Sequence, residues 1–365
     1  MASDNVGIMA LLNYVTMTEP VVKYMTMLPK VLPMDLYTRT VQNLGQSFRR
    51  AIFRGSRKTA KFARYGSPPL EVEQTGAGIQ DVQLLHSIES ITAGPEVLQL
   101  FQDYSSYQAV QLATHELDRR AIDFAVRSDN LRTSTVHVAM ANGKVWYDIN
   151  GNLLTTSSGA EVTVDYGLPN ANRVTSSTSW ANTAFDIPTY LTNFLTDAMY
   201  TTGRKPKIAI CGKNIQGYLS NNVSFQQYLA RNPEYNQYFV NNAQIKDGTL
   251  NLKWVMAQDA YFESAAGVMT AVFPADQITF LPDITPDFYN IVEGSMPVPK
   301  EFGWLSQGGD FTAAVKALLS SPVYGMFRYA YGVAYPIPQI HIVQGDSFLP
   351  DIRIPEAMFI MDTTP

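Results

Sequence analysis

The sequence is poor in cysteine and in charge. Of 365 residues a single one, Cys211, is a cysteine. One thiol cannot build a disulfide scaffold within a chain, and it excludes a cysteine-rich zinc site. Charged side chains make up 16% of the chain, against about 25% in an ordinary soluble domain. A lone monomer shows water more charge than this, so part of the surface is expected to be neutral polar or covered by partners. No run reaches the roughly 18 to 20 apolar residues of a membrane helix. The apolar stretch from Val6 to Leu12 follows Asp4, lacks a basic leader and ends at Asn13, so it does not read as a secretory signal. These absences point to a soluble protein made in the cytoplasm, with no membrane partner.

Catalytic motifs are missing as well. The chain has no G-x-x-x-x-G-K-[ST] phosphate loop and no G-x-S-x-G elbow. Gly76-Ala77-Gly78 runs on to Asp81 without the third glycine of a dinucleotide fingerprint. His115-Glu116 opens like a zinc-protease helix, but the fifth position is Arg119, so the two-histidine face is absent. Asp148, Asn150 and Asn152 imitate the start of a calcium loop. Gly151 comes too early, however, and Gly159 stands where a bidentate glutamate is required. A hairpin turn explains that segment. Cys211 follows Ile208-Ala209-Ile210 and reads as a buried, inert thiol. Trp146, Trp180, Trp254 and Trp304 are dispersed, as core or interface anchors are. The expectation is no catalytic residue, no cofactor and no metal, and a protein that is not an enzyme.

What is present is an uneven charge distribution. The net charge is −5, yet no acidic residue occurs from Leu36 to Leu70, a window holding Arg39, Arg49, Arg50, Arg54, Arg57, Lys58, Lys61 and Arg64. The remainder therefore carries −13. Three readings of this basic segment stay open on charge alone: a solvated loop, a phosphate-binding stretch in a nucleic-acid-binding protein, or a segment docking on the acidic surface of a neighbouring copy.

Periodicity gives a mixed α+β class. Residues 1 to about 45, broken by Pro20, Pro29 and Pro33, read as an extended arm, and Gln46 to Phe62 as part of a basic hairpin. The strongest helix signal lies between Gly94 and Asn130. Val110, Ala113, Leu117, Ala121, Phe124 and Leu131 mark its apolar face, and Glu116, Asp118, Arg119, Asp123 and Arg127 its polar one. Val136 to Met140 reads as a strand turning at Asn142-Gly143 into Val145–Ile149, with a second turn at Asn150-Gly151. Glu161–Tyr166 alternates like another strand. Ile187 to Met199 is helical, with Gly203 as its stop. Lys207–Cys211 reads as a buried strand, and Ile215 to Pro233 as further helix. Leu252–Ala257, Val268–Phe273, Ile278–Leu281, Val323–Tyr335, His341–Val343 and Met358–Met361 complete a series of strands.

One block carries more than a pattern. Val162-Thr163-Val164-Asp165-Tyr166-Gly167, then Ser179-Trp180, then Asp186-Ile187-Pro188-Thr189-Tyr190-Leu191-Thr192-Asn193 resembles the major capsid proteins of tailed bacteriophages, nearest the phage lambda major head protein family. The wording is confined to residues 160 to 230; elsewhere the likeness lies in the order of parts. It implies the Hong Kong ninety-seven-type capsid fold: an N-terminal arm (1–48), an extended β-hairpin loop (49–92), and a peripheral domain (93–185) with a spine helix at about 95–131 on a β-sheet. An axial domain (186–320) and returning peripheral strands (321–365) follow. It also implies a virion capsid assembled in the host bacterial cytoplasm. The partners would be the chain itself in hexamers and pentamers, a portal protein, packaged double-stranded DNA on the inner face, and scaffolding and decoration proteins as optional additions. A bacterial nanocompartment shell protein of the same fold is the alternative. Placed on that fold, Arg49, Arg50, Arg54, Arg57, Lys58, Lys61 and Arg64 become inter-subunit contacts of the loop. Glu116, Asp118 and Asp123 become their counterparts on a neighbour's spine helix.

Overall fold

The computed structural model describes residues 30–45, 47–52, 78–93, 107–231, 250–257, 259–263, 268–297, 304–305, 322–333 and 339–365. In chain order the elements begin with α1 (Asp35–Thr38), β1 (Thr40–Asn43), β2 (Ser47–Ile52), β3 (Gly78–Gln83) and β4 (Leu85–Ala93). The long helix α2 (Tyr107–Asn142) leads to β5 (Lys144–Tyr147), β6 (Leu153–Leu154), β7 (Val162–Asp165) and β8 (Arg173–Thr175). Next come α3 (Ile187–Thr202), β9 (Ile208–Cys211), α4 (Ile215–Asn221), α5 (Val223–Ala230), β10 (Lys253–Met256), β11 (Tyr261–Glu263), β12 (Met269–Ala271) and β13 (Gln277–Leu281). The chain ends with β14 (Tyr289–Pro297), β15 (Trp304–Leu305), β16 (Pro322–Tyr324), β17 (Phe327–Val333), β18 (Gln339–Ile352) and β19 (Phe359–Asp362).

Two sheets organise these elements. The larger runs β1-β14-β18-β17-β15, with β4 on β18 and β16 on β14. Its centre is the 14-residue β18, which pairs antiparallel with β17 and β14 and, through Ile340↔Ala93 to Phe348↔Leu85, with β4. The smaller runs β10-β9-β13-β19-β8. β2 and β3 form a separate antiparallel ribbon, from Ser47↔Gln83 to Ile52↔Gly78. One apolar core gathers the C-terminal half of α2, the large sheet and β5–β7. A second gathers α3, α4, α5 and the five-stranded sheet around Trp180 and Trp254.

The long helix differs from its expected span. Its described span is Tyr107–Asn142; the expected 95–106 lies outside the described residues, the helix continues past 131, and Val136–Met140, read as a strand, falls in its last two turns. Val136, Val138, Ala139 and Met140 are each 0% exposed. A helix buried on all sides has no polar stripe, so its sequence shows an apolar run that strands share. Asn142-Gly143 is accordingly a helix stop and not a hairpin turn. Gly143 takes φ 62 and its N–H donates to Ala139 O at 2.9 Å, the left-handed C-terminal cap that glycine favours. The orphan carbonyls of Ala141 and Asn142 accept from the side chains of Gln277 and Arg173, which satisfies the helix end and ties it to the five-stranded sheet.

Other readings agree in type and shift in extent. α3 begins at Asp186, whose side chain accepts from Thr189 N, carries proline in its first turn and stops at Gly203 with φ 74. The helix expected from Ile215 to Pro233 is two helices. Asn222 interrupts them in an extended conformation (φ −79, ψ 121), its Oδ1 accepting from Phe225 N at 2.8 Å and its Nδ2 donating to Phe185 O. Asp148 accepts from Asn150 N and Asn152 N in a turn with Gly151 at φ 80, the hairpin geometry that stood against a calcium loop.

The linear boundaries do not follow the sheets. β2 straddles 48/49, and β4 at the end of 49–92 belongs to the large sheet. β14, inside 186–320, also joins the large sheet, while β8 and the final β19 join the five-stranded one. The chain crosses between the two sheets more than once, which pairing reveals and linear composition does not.

Candidate functional site

The ribbon β2–β3 is rooted by one buried guanidinium. Arg50, on β2, is 1% exposed. Its Nε lies 3.0 Å from Asp351 Oδ1 on β18. Its Nη2 donates to Tyr166 O at 2.8 Å and to Ile352 O, and its Nη1 to Asp165 O at 3.3 Å. The guanidinium also sits over the Tyr166 ring, 4.8 Å from its centroid, and the Tyr166 hydroxyl donates to Pro350 O at 2.7 Å. Burial lowers the Arg50 pKa, with Asp351 pulling the other way. Burial likewise raises that of Asp351, offset by Arg50 and by Arg353 at 3.1 Å. The planar fork of arginine suits a site with several oxygens around one plane. The Val164-Asp165-Tyr166-Gly167 block thus has a physical role: it supplies two carbonyls and a ring to hold the ribbon's root.

A second buried ion group joins α2 to the large sheet. Arg132 is bidentate on Asp346 of β18, with one arm at 2.7 Å, and meets Glu293 of β14 at 3.0 Å. Its guanidinium also lies 5.1 Å from the Phe348 ring centroid. Burial opposes the charge on Arg132, and Asp346 and Glu293 more than offset it, so its pKa is raised. Nearby, Gln344 Nε2 donates to Phe124 O of the helix at 2.8 Å. The start of the described chain is pinned to the same helix. Lys30 pairs with Asp129, and Tyr37 shares a 2.7 Å hydrogen bond with His137 Nε2. Burial, reinforced by the charge of Lys30, brings the His137 pKa down to about 3.

The expected contact residues fare differently. Arg50 is a correction: it lies inside its own chain and cannot reach a neighbour. The reason is topological, because β18 brings Asp351 beneath β2 from 301 residues away in sequence. Arg49, the next residue on the ribbon, faces water and pairs with Asp81 at 3.2 Å, with side chains 72% and 69% exposed. Arg54, Arg57, Lys58, Lys61 and Arg64 lie outside the described residues. Glu116 and Asp118 fall on α2, with side chains outside the described residues; Asp123 is exposed on that helix. Sequence reasoning missed Asp351 and Arg132. The signal for Asp351 is a carboxylate in the apolar run Leu349-Pro350-Asp351-Ile352; Arg132, in Asp129-Asn130-Leu131-Arg132-Thr133-Ser134, carries no such mark.

Clusters of titratable side chains are sparse among the described residues. Among the described residues no three His, Cys, Asp or Glu side chains gather as a metal site. Cys211 is buried and its thiol pKa is raised by that burial. A recess of about 590 Å³ is lined by Asp35, Lys207, Lys253 and Asp283, with Lys207 already paired to Asp283. It holds no histidine or cysteine. The face of the large sheet turned away from α2 shows a stacked row of Tyr329, Tyr331 and His341, with ring centroids 6.3 and 5.0 Å apart. Among the described residues no helix is long and apolar enough to cross a membrane.

A layer of long helix on sheet, with a rooted ribbon beside it, is scaffold geometry. The family model for phage major capsid protein E matches residues 32–292, well over half the chain. The chain belongs to that family. Its function is structural: a shell-forming capsid protein of a phage virion. No curated protein matches the sequence. Among solved structures the chain is similar to a putative prophage capsid protein of Escherichia coli (12% identity, 78% of this chain and 79% of that one, TM-score 0.48). It is also similar to a phage-related protein from Bordetella bronchiseptica (8%, 94% and 96%, TM-score 0.46) and to the mature capsid of bacteriophage PhiM1 (10%, 89% and 84%, TM-score 0.46). The capsid family's implied α+β architecture, a long helix laid on a β-sheet, is the architecture found.

Proposed function

We propose that this chain tiles with identical copies, as hexamers and pentamers, into a closed icosahedral shell around double-stranded DNA, and that it catalyses nothing. Assembly takes place in the host cytoplasm. A portal protein is a further partner, and scaffolding and decoration proteins are optional. The five-stranded unit corresponds to the axial domain and the α2–large sheet layer to the peripheral one. The observation that carries this reading is the pairing of a family match over 32–292 with a charged ribbon rooted in the body by Arg50. The basic residues Arg54 to Arg64 follow directly on β2 and serve as an electrostatic guide for a neighbour's acidic surface. Single exposed pairs contribute only about 0 to 1 kcal/mol, so they orient subunits, while summed apolar contact holds them.

Native sizing and negative-stain microscopy of the purified chain test this. Rings, tubes or shells are the expected products. A dilute monomer that binds duplex DNA tightly, with steep loss of affinity as salt rises, would overturn it and favour a nucleic-acid role for residues 36–70.

A further inference from the structure

We infer that Arg50 is a positioning residue for assembly: it sets the direction in which the β2–β3 ribbon leaves the body, and hence the uniformity of the shell. This rests on the shell-subunit reading above. Arg50 is buried at the root of the ribbon, while its neighbour Arg49 is 72% exposed. Its bonds reach two separate parts of the body. Asp165 and Tyr166 lie at the end of β7, and Asp351 and Ile352 at the end of β18. The Tyr166 ring packed against the guanidinium is itself held by Pro350. Three or more directional contacts on one rigid plane fix orientation, where apolar packing alone tolerates sliding.

Energetics separate this role from simple stability. A buried ion pair gains little over well-packed apolar side chains of the same size, whereas removing one partner leaves a costly buried charge. The site therefore gives the fold a defined geometry that a greasy replacement would lack. A ribbon free to rock at its root would meet neighbours at a spread of angles. Small angular errors, repeated over a closed surface, change its curvature.

The experiment compares the full-length wild-type chain with two variants. One is the double substitution Arg50→Met with Asp351→Leu. The other is Arg50→Lys, which keeps the charge but loses the fork. Each is judged by circular dichroism, thermal melting and particle-size distribution in negative stain. Expected are uniform wild-type particles. Both folded variants should instead give heterogeneous products, such as tubes, partial shells or a broadened diameter. Uniform shells of wild-type size from either folded variant overturn the positioning role. If neither variant gives folded protein, Arg50 acts in folding and the inference falls. If the wild-type chain itself forms no particles, it is the shell reading that fails, and the two failures are told apart.

Discussion

His137 carries a pH-dependent signature at the scale of one residue. Unfolded, an imidazole titrates near pH 6.5; folded, burial and Lys30 bring it to about 3. The fold accepts only the neutral ring. Its contribution is therefore complete above the unfolded pKa and shrinks as pH falls toward the folded one. About 2 kcal/mol should be lost from this source between roughly pH 7 and pH 5. Melting curves of wild type and His137→Gln at both pH values check it: the variant should show a flatter dependence, and an equal slope would dismiss the ring as the cause. Arg132 makes the complementary case. Arg132→Ala leaves Asp346, 1% exposed, and Glu293 without their cation. Breaking such a group costs about 3–5 kcal/mol, to be read by chemical denaturation. Arg50→Ala should cost a comparable amount by the same measurement, since Asp351 keeps only Arg353. Arg132 and Arg50 are far in sequence from Asp346, Glu293 and Asp351, so burial of each charge is a fact of the folded chain.

At the scale of elements, the end of α2 shows how one local signal serves two structures. Asn-Gly between apolar runs suits a hairpin turn and also a helix stop. Gly143 becomes a stop because the side chains of Gln277 and Arg173 donate to the last carbonyls of the helix. A side chain at Gly143 would strain φ 62 and approach Leu168 at 3.1 Å. Gly143→Ala should therefore destabilise by about 1–2 kcal/mol in a thermal melt, while Gly151→Ala, with open space around it, should cost only the backbone strain. α3 was legible because its cap, first-turn proline and glycine stop are all local. α2 was legible where one face meets water and illegible where it is fully enclosed. The apolar positions repeat at helical spacing in the first case, and in the second Val136, Val138, Ala139 and Met140 leave no polar stripe, with His137 buried among them.

At the scale of the whole molecule, low charge content fits a protein whose surface is shared with copies of itself. The basic stretch after β2 and the exposed acid Asp123 on α2 predict electrostatic registration between subunits. Reversing Arg57 and Lys58 to Glu should abolish shell formation in sizing experiments while leaving circular dichroism and melting unchanged. Normal shells from that double variant would remove the docking proposal. Assembly should also slow as ionic strength rises, because exposed charges are screened beyond about 8 Å at physiological salt; light scattering follows this directly.

The Val162–Gly167 block and the wording that follows it to Asn193 marked the family in the sequence itself. They are statements about residue types and short spacings, and a linear chain displays those. Which strands share a sheet, why Arg50 faces inward while Arg49 faces water, and where β19 returns were decided by tertiary structure alone. Alternation on a strand places neighbours on opposite faces, but only what packs against the strand determines which face is buried. β2 pairs with β3; what buries Arg50 is the end of β18, whose Asp351 carboxylate comes from the far end of the chain.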